Sequence, residues 1–252
     1  MADVKMPLTQ HLEELRWRLI RALLAATVGA VICYNWADVL FAFLIRPLTA
    51  YSNEPVQLIG TGVTEAFFTK LKVSLIGGVF LGSPVIFFQV WKFVAPGLYE
   101  QEKRYVVPFV AFATIFFVLG AAFCYLSVFP ISYAFFLDQY KEIKITPALR
   151  ISEYLSFSAR MLLAFGLTFE LPVITFFMAR LGVVTHRMML GYLRYAVLGI
   201  FIVAAILTPG PDIASQLLMA APLFVLYIIS ILVAYVFGKK KEEGNQSLVV
   251  GD

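Results

Sequence analysis

Long apolar stretches, separated by shorter polar segments, dominate the pattern of the chain. A helix needs about 20 apolar residues, at about 1.5 Å each, to cross about 30 Å of hydrocarbon. The pattern therefore predicts an all-α membrane protein in which residues 1–238 form one domain of six transmembrane helices. The predicted helices lie at about residues 22–43, 73–94, 106–129, 154–181, 188–207 and 213–237.

The composition supports a membrane protein and excludes several other classes. Of the 252 residues, 61% are hydrophobic and 14% are charged, and the mean hydropathy is +0.85. Soluble domains have about 45–50% apolar and about 25% charged residues, so a water-facing globule, a disordered chain, a disulfide-rich scaffold and a nucleic-acid binder are excluded. Two isolated cysteines and two histidines give no ligand spacing, and we predict no metal site.

The distribution of basic residues predicts the orientation. An even number of spans places both termini on one side, and that side would carry 13 of the 20 Lys and Arg residues. Because cytoplasmic loops are enriched in these residues, we predict cytoplasmic termini, with residues 239–252 as a flexible cytoplasmic tail. The two longer outer loops, at about 44–72 and 130–153, are rich in Pro, Thr, Ser and aromatic residues, which predicts ordered caps.

The fifth predicted helix is unusually short. Its uninterrupted apolar stretch, 196–207, has about 12 residues and would be about 18 Å long, and the polar turn 208–212 follows at once. One interpretation is a short pair of helices that thins the bilayer locally. The other is a longer, tilted helix that starts near Met188. The spacing alone leaves both open.

Glu170 lies in the middle of the fourth predicted helix, just before Pro172. A charge at the centre of a span costs about 2.5–3.5 kcal/mol, and no cation lies one helical turn away. Arg160 is about 15 Å back along the helix axis. Glu170 is therefore either a protonated side chain packed against Thr or Gln, or a polar contact point for another helix or a proton-sensitive group.

Acidic residues occur in two segments predicted to be cytoplasmic. Leucines at positions 8, 12, 15 and 19 predict an amphipathic helix that carries Glu14 on a wetter side. The first cytoplasmic loop, 95–104, carries Glu102. Two carboxylates that meet at the membrane surface would form a site for a basic peptide, because the planar guanidinium of arginine gives a carboxylate two hydrogen bonds. The alternative is that both acids are simply solvated.

Two further features concern capping and packing. Asp212 precedes the sixth predicted helix, where an acid caps a helix start, and Gln216 follows in the first turns. A binding role for Asp212 can coexist with capping. Gly78 and Gly82 form a GxxxG pattern in the second predicted helix, which predicts close packing against a neighbouring helix.

The sequence contains no HExxH, GxSxG, P-loop or GxGxxG motif, and we predict that the protein is not an enzyme. A competing prediction is a small-solute transporter or channel that uses Glu170 as its ion site. That class needs inward-facing polar residues on several spans, whereas this sequence supplies essentially one buried acid. Binding of an Arg-Arg peptide or of a solute would separate the two classes.

Several motifs, in order along nearly the whole chain, give a specific resemblance to a known family. The sequence resembles TatC, the multispanning receptor subunit of the twin-arginine protein translocase. The motifs are HLEELR (11–16), SPVIFFQVW (83–91), FVAPGLY (93–99), EKR (102–104), FP (129–130), SEYLSF (152–157), AFG (164–166), FELP (169–172), TP (208–209), PD (211–212) and SQ (215–216).

The resemblance implies a concave, glove-like arrangement of six helices in the inner membrane, with short fifth and sixth helices. It implies recognition of the Arg-Arg motif of signal peptides on folded cargo by Glu14 and Glu102. Residues that would shape this site are Arg16, Pro96, Leu98 and Tyr99. Glu170, Asp212 and Gln216 match polar positions that contact partner helices. The implied partners are single-span TatA and TatB subunits and other copies of the chain, transport is driven by the proton-motive force, and no cofactor is implied.

Overall fold

The computed structural model describes residues 8–50, 57–94, 106–208 and 213–238. These residues are mostly helical, with one small parallel sheet. The elements are α1 (Leu8–Tyr34), α2 (Ala37–Ala50), β1 (Gln57–Ile59), α3 (Glu65–Val94), α4 (Val106–Phe123), α5 (Phe129–Glu142), β2 (Ala148–Arg150), α6 (Ile151–Arg180), α7 (His186–Gly191), α8 (Leu193–Leu207) and α9 (Ile213–Phe237).

Five helical stretches are long and apolar enough to cross a membrane, and α8 is a shorter apolar helix. With 15 residues, α8 is about 22 Å long, less than the roughly 30 Å of hydrocarbon. The expectation of a short sixth helix is wrong, because α9 has 25 residues and is long enough to cross a membrane. The five long stretches are Gln10–Tyr34, Glu65–Phe93, Val106–Glu142, Ile151–Arg180 and Ile213–Phe237.

The segment predicted as the fifth span, 188–207, is not one regular helix. A turn at Tyr192 separates α7 from α8, so the interpretation of a single longer helix from Met188 is wrong. Thr185 caps α7, since its hydroxyl accepts a hydrogen bond from the backbone N–H of Met188 at 3.3 Å. The apolar pattern could not reveal this break, because both sides of the turn carry apolar residues.

The first predicted span, 22–43, covers parts of two helices, and its predicted end is wrong. The amphipathic helix predicted from the leucine spacing is confirmed as the beginning of α1, which ends at Tyr34. The side-chain amide of Asn35 donates to the carbonyl of Ile32 at 3.4 Å. Asn often ends a helix because its side chain competes for backbone groups, and α2 begins two residues later.

The end predicted for the third span, residue 129, is also wrong. The helix continues through a π-helical turn, Cys124–Val128, into α5. Pro130 is the second residue of α5, which follows directly after the π-helical turn. The second predicted outer loop, which we expect to form an ordered cap, is therefore helical over residues 130–142.

Close approaches at glycine fix two helix pairs. α1 crosses α3 at Gly29 and Gly78, where a Cβ built on Gly78 would lie 2.6 Å from the carbonyl oxygen of Ala26. This confirms the packing role predicted for the GxxxG pattern. In the same way, a Cβ on Gly120 of α4 would lie 2.5 Å from the carbonyl oxygen of Phe165 on α6.

The two ends of the helices differ in how they are held together. Strands β1 and β2 pair in parallel, with Leu58 opposite Leu149, close to the first residues of α3 and α6; we call this the sheet end. The large apolar core includes residues of α2, α5 and α6. A second, smaller core joins the other ends of α3, α4 and α6 through Trp91, Phe109 and Phe177; we call this the Trp91 end.

Candidate functional site

Glu14 holds a guanidinium group within the chain. Its Oε1 accepts hydrogen bonds from Nε of Arg18, at 3.0 Å, and from Nη2 of the same residue. Its Oε2 lies 3.9 Å from Nδ1 of His11. The pair is partly shielded, with 24% of the Glu14 side chain and 15% of the Arg18 side chain exposed. The simple prediction that this acid is only solvated is wrong.

The environment of Glu14 also includes the last turn of α3. The ring of His11 stacks on Phe93 with centroids 4.4 Å apart and planes inclined by 17°. This contact brings the first turn of α1 to the end of α3, where the chain enters residues 95–104. Glu14, one turn after His11 on α1, therefore lies near the last turn of α3.

The described residues contain part of the predicted peptide site. Glu14 and Arg16 lie on α1, and Arg16 is exposed on a different face of the helix from Glu14. Glu102, Pro96, Leu98 and Tyr99 lie outside the described residues, as does Asp212.

Glu170 is buried in the middle of α6, with 4% of the residue exposed. Its Oε1 has no hydrogen-bond partner among the described residues. One turn earlier, Gly166 lies against Phe117 of α4, and one turn later, Val173 belongs to the apolar core at the Trp91 end. An unpartnered polar atom in such surroundings is costly.

Gln216 joins the two last helices. Its side-chain Nε2 donates to the carbonyl oxygen of Phe201 at 2.9 Å, which ties the start of α9 to the middle of α8. Its amide nitrogen is therefore engaged within the chain. The same helices pack through Ala204, Leu207 and Met219, which are buried in the large core.

Sequence reasoning missed Glu65, which connects the two segments at the sheet end. Its Oε2 accepts from the backbone N–H groups of Thr61, at 2.5 Å, and Gly62, at 3.1 Å. Its Oε1 accepts from the N–H of Ser152 at 3.0 Å, in the first turn of α6. Arg150 adds a second connection, because its Nη2 donates to the Thr61 hydroxyl at 2.8 Å.

The local half of this arrangement has a signal in the sequence. An acid in the first helical turn that reaches back to preceding N–H groups resembles a capping box. The contact with Ser152 has no such signal, since 87 positions separate the two residues. Only the tertiary fold brings them together.

Taken together, the long apolar helices and their buried carboxyl group define a multi-pass helical membrane protein. A family model described as Sec-independent protein translocase protein (TatC) matches residues 10–222. The chain belongs to the TatC family.

Relatives and solved structures agree with this assignment. The chain is 48% identical over 245 residues to a protein of Desulforapulum autotrophicum named Sec-independent protein translocase protein TatC, which covers 97% of this chain and 90% of the relative. It is 42% identical to the protein of the same name from Carboxydothermus hydrogenoformans, and the alignment covers 98% of this chain and 100% of that relative. A crystal structure titled twin arginine translocase receptor TatC superposes with a TM-score of 0.80 at 36% sequence identity. The match covers 89% of this chain and 97% of that chain.

Proposed function

We propose that this protein is the receptor of a twin-arginine translocase and binds the Arg-Arg motif of signal peptides at the cytoplasmic face. The observation that carries the proposal is the geometry at Glu14, whose carboxylate already accepts two hydrogen bonds from a guanidinium group. A carboxylate that binds one arginine in this way is suited to bind another. An incoming arginine would replace Arg18 at Oε1 or bind beside it at Oε2.

The second arginine would bind Glu102 in the loop after α3. The stacking of His11 on Phe93 supports this proposal, because it brings the part of α1 that carries Glu14 to the end of α3, and Glu102 follows α3 in the sequence. Arg16, Pro96, Leu98 and Tyr99 would complete the walls of the site. In this site each carboxylate would bind one guanidinium group through two parallel hydrogen bonds. A Lys-Lys peptide would bind more weakly, because an ammonium group lacks the planar fork that forms this pair of hydrogen bonds.

Binding of a labelled signal peptide to the purified protein tests this function. The Arg-Arg peptide is compared with a Lys-Lys peptide on the wild type and on the Glu14→Ala and Glu102→Ala variants. Glu13→Ala is a matched control, because it removes a neighbouring, exposed acid of the same helix. We expect each site variant to weaken binding by at least about tenfold. Each variant loses at least one charge-assisted hydrogen bond of about 1.5 kcal/mol, and about 1.4 kcal/mol corresponds to a factor of ten in affinity. Equal binding by all variants would refute the carboxylate site.

The partner helices of TatA-type and TatB-type subunits would dock on α6, α8 and α9. The unpartnered Oε1 of Glu170 supports this part of the proposal, since a polar side chain of a partner helix would complete its hydrogen bonding. Asp212 and Gln216 would contribute polar contacts at the opposite end of α9 from Phe237. Other copies of the chain would join the receptor complex, and the proton-motive force would drive the export of folded cargo.

The topology follows from the same proposal. Six spans, with α8 as the short fifth, would place both termini in the cytoplasm and form a concave surface within the inner membrane. The length of α8, about 22 Å, supports local thinning of the bilayer, because the hydrocarbon is roughly 8 Å thicker. Labelling of single cysteines at the two ends of α8 from either side of the membrane would test both statements.

A further inference from the structure

Basic residues at the sheet end fall into two groups. Three of them form ion pairs with carboxylates: Lys70 with Asp38 at 2.7 Å, Lys141 with Asp138 at 2.7 Å, and Arg150 with Glu153 at 3.2 Å. Lys72 and Arg160 belong to the second group, with Arg46 and Lys144: none of these four has a carboxylate partner in the part of the chain that the structure describes. No carboxylate among the described residues neutralises these positive charges, so they are available to bind an anionic ligand.

Lys72 and Arg160 come from different helices but meet at one residue. Nζ of Lys72, on α3, donates to Oγ of Ser156 at 3.0 Å. Nε of Arg160, on α6, donates to the carbonyl oxygen of Ser156 at 3.1 Å. The Ser156 hydroxyl donates its own proton to the carbonyl oxygen of Ser152 at 2.6 Å. Ser156 thus orders two neighbouring cations without neutralising either.

The hydrogen bonding leaves donors available on both side chains. An ammonium group has three N–H donors, and a guanidinium group has five. The hydrogen bonds to Ser156 use one donor of Lys72 and the Nε–H of Arg160. The two terminal nitrogens of Arg160 form the fork that binds the oxygens of a phosphate or a carboxylate.

The depth of the two residues matches the lipid headgroups. Both helices begin at the sheet end and have 30 residues, so each extends about 7 Å beyond each side of a 30 Å hydrocarbon layer on which it is centred. Lys72 and Arg160 then have their backbones roughly 3 and 6 Å inside that layer. Side chains of this length reach back to the interface, where lipid phosphates lie.

The surface around the pair is exposed and apolar. Leu71 and Leu75, next to Lys72 on α3, are 46% and 53% exposed, and Leu167 on α6 is 60% exposed. In a membrane protein such exposed leucines contact acyl chains. We propose that Lys72 and Arg160 bind the phosphate of an anionic phospholipid in the leaflet at the sheet end, while its acyl chains lie along these leucines.

Native mass spectrometry of the full-length protein, with phosphatidylglycerol added in detergent, tests the proposal. Lys72→Gln/Arg160→Gln removes both cations. The matched control is Arg46→Gln/Lys144→Gln, which removes the same net charge from two other cations that form no ion pair with the described residues. A cation near an anionic lipid surface contributes about 1 kcal/mol, or about fivefold in affinity, so we expect about thirtyfold weaker binding in the first variant and little change in the control.

Three comparisons decide the outcome. The charge-preserving variant Lys72→Arg/Arg160→Lys should retain the lipid, and an unfolding curve should show that the Gln variant is folded. Phosphatidylcholine, whose phosphate is offset by a cationic choline, should bind less well. Equal loss in both Gln variants, or no binding of phosphatidylglycerol by the wild type, would overturn the proposal.

Two further results would assign the cations to other ligands and would also overturn it. Complete displacement of the lipid by inorganic phosphate would indicate a site for the free anion. Normal lipid binding by Lys72→Gln/Arg160→Gln, together with loss of co-purifying subunits, would indicate a carboxylate on a protein partner.

Discussion

The close crossing of α1 and α3 makes Gly78→Ala a sharp test of the fold. A Cβ at this position would lie 2.6 Å from the carbonyl oxygen of Ala26 and 2.7 Å from Cα of Ala30, whereas ordinary van der Waals contact begins near 3.4 Å. Both neighbours are backbone atoms and cannot rotate away. The backbone nitrogen of Ala30 would be closer still, so the two helices must separate by at least about 0.8 Å, the difference between 3.4 Å and the 2.6 Å to the Ala26 oxygen.

The net magnitude combines two opposing effects. Overpacking of a tight interior costs about 1–3 kcal/mol, while replacing Gly by Ala in a helix gains about 0.5–1 kcal/mol. We expect Gly78→Ala to lower the free energy of unfolding by about 1–2 kcal/mol. Gly199→Ala is the matched control, because a Cβ there meets nothing within 4 Å and only the helical gain remains.

The assay is equilibrium unfolding of both variants in the same detergent, followed by binding of an Arg-Arg signal peptide. Because His11 and Glu14 lie on α1 and Phe93 lies in the last turn of α3, a shift at the crossing also changes how the two helices meet at the stacked rings. Gly78→Ala should therefore bind the peptide more weakly, and Gly199→Ala should bind it like the wild type. A Gly78→Ala protein as stable as Gly199→Ala would refute the packing argument.

Three other substitutions have expected outcomes. Arg18→Gln should strengthen binding of an Arg-Arg peptide several-fold, because it removes the guanidinium that occupies Glu14; weaker binding would place Arg18 in the site itself. Glu65→Ala should speed hydrogen exchange at the amide of Ser152, which loses its acceptor; unchanged exchange would contradict the contact. Glu170→Leu should leave the stability equal or higher, since it removes a buried unpartnered carboxyl group, yet reduce co-purification of partner subunits; a loss of stability would indicate an internal partner.

Each of these substitutions has a matched control. Glu13→Gln leaves Arg18 paired with Glu14 and should not change peptide affinity. Glu153→Ala removes an exposed acid one residue from Ser152 and should not change exchange at that amide. Leu171→Ala alters an exposed residue next to Glu170 and should not change co-purification.

Local patterns in the sequence predicted the helices well and their ends less well. Apolar length identified the long helices, and leucine spacing identified the start of α1, because both depend on neighbours within a few turns. The break at Asn35 and the continuation of α4 into α5 do not change the apolar composition. A hydropathy pattern therefore indicates neither the break after α1 nor the continuous helix from α4 to α5.

The same distinction applies to the candidate site. Glu14 and Arg18 are four residues apart, and residues at this spacing are neighbours on a helix surface, so the sequence alone can indicate their contact. The stacking of His11 on Phe93, and the hydrogen bond from Ser152 to Glu65, join residues far apart in the chain. These contacts depend on the order and tilt of whole helices, which no local pattern encodes.

Two polar groups on α6, Glu170 and Arg160, have no carboxylate or hydrogen-bonding side-chain partner among the described residues. They can therefore be considered separately from the contacts that hold α6 in place. Helix α6 is held on both sides by apolar residues, at Gly166 against α4 and at Val173 in the smaller core. Its first turn is fixed by Glu65, which accepts three backbone N–H groups. A helix fixed by these contacts does not need Glu170 or Arg160 for its own position. Since both groups are costly in a membrane unless they are paired or neutralised, we expect their partners to come from another helix and from the lipid.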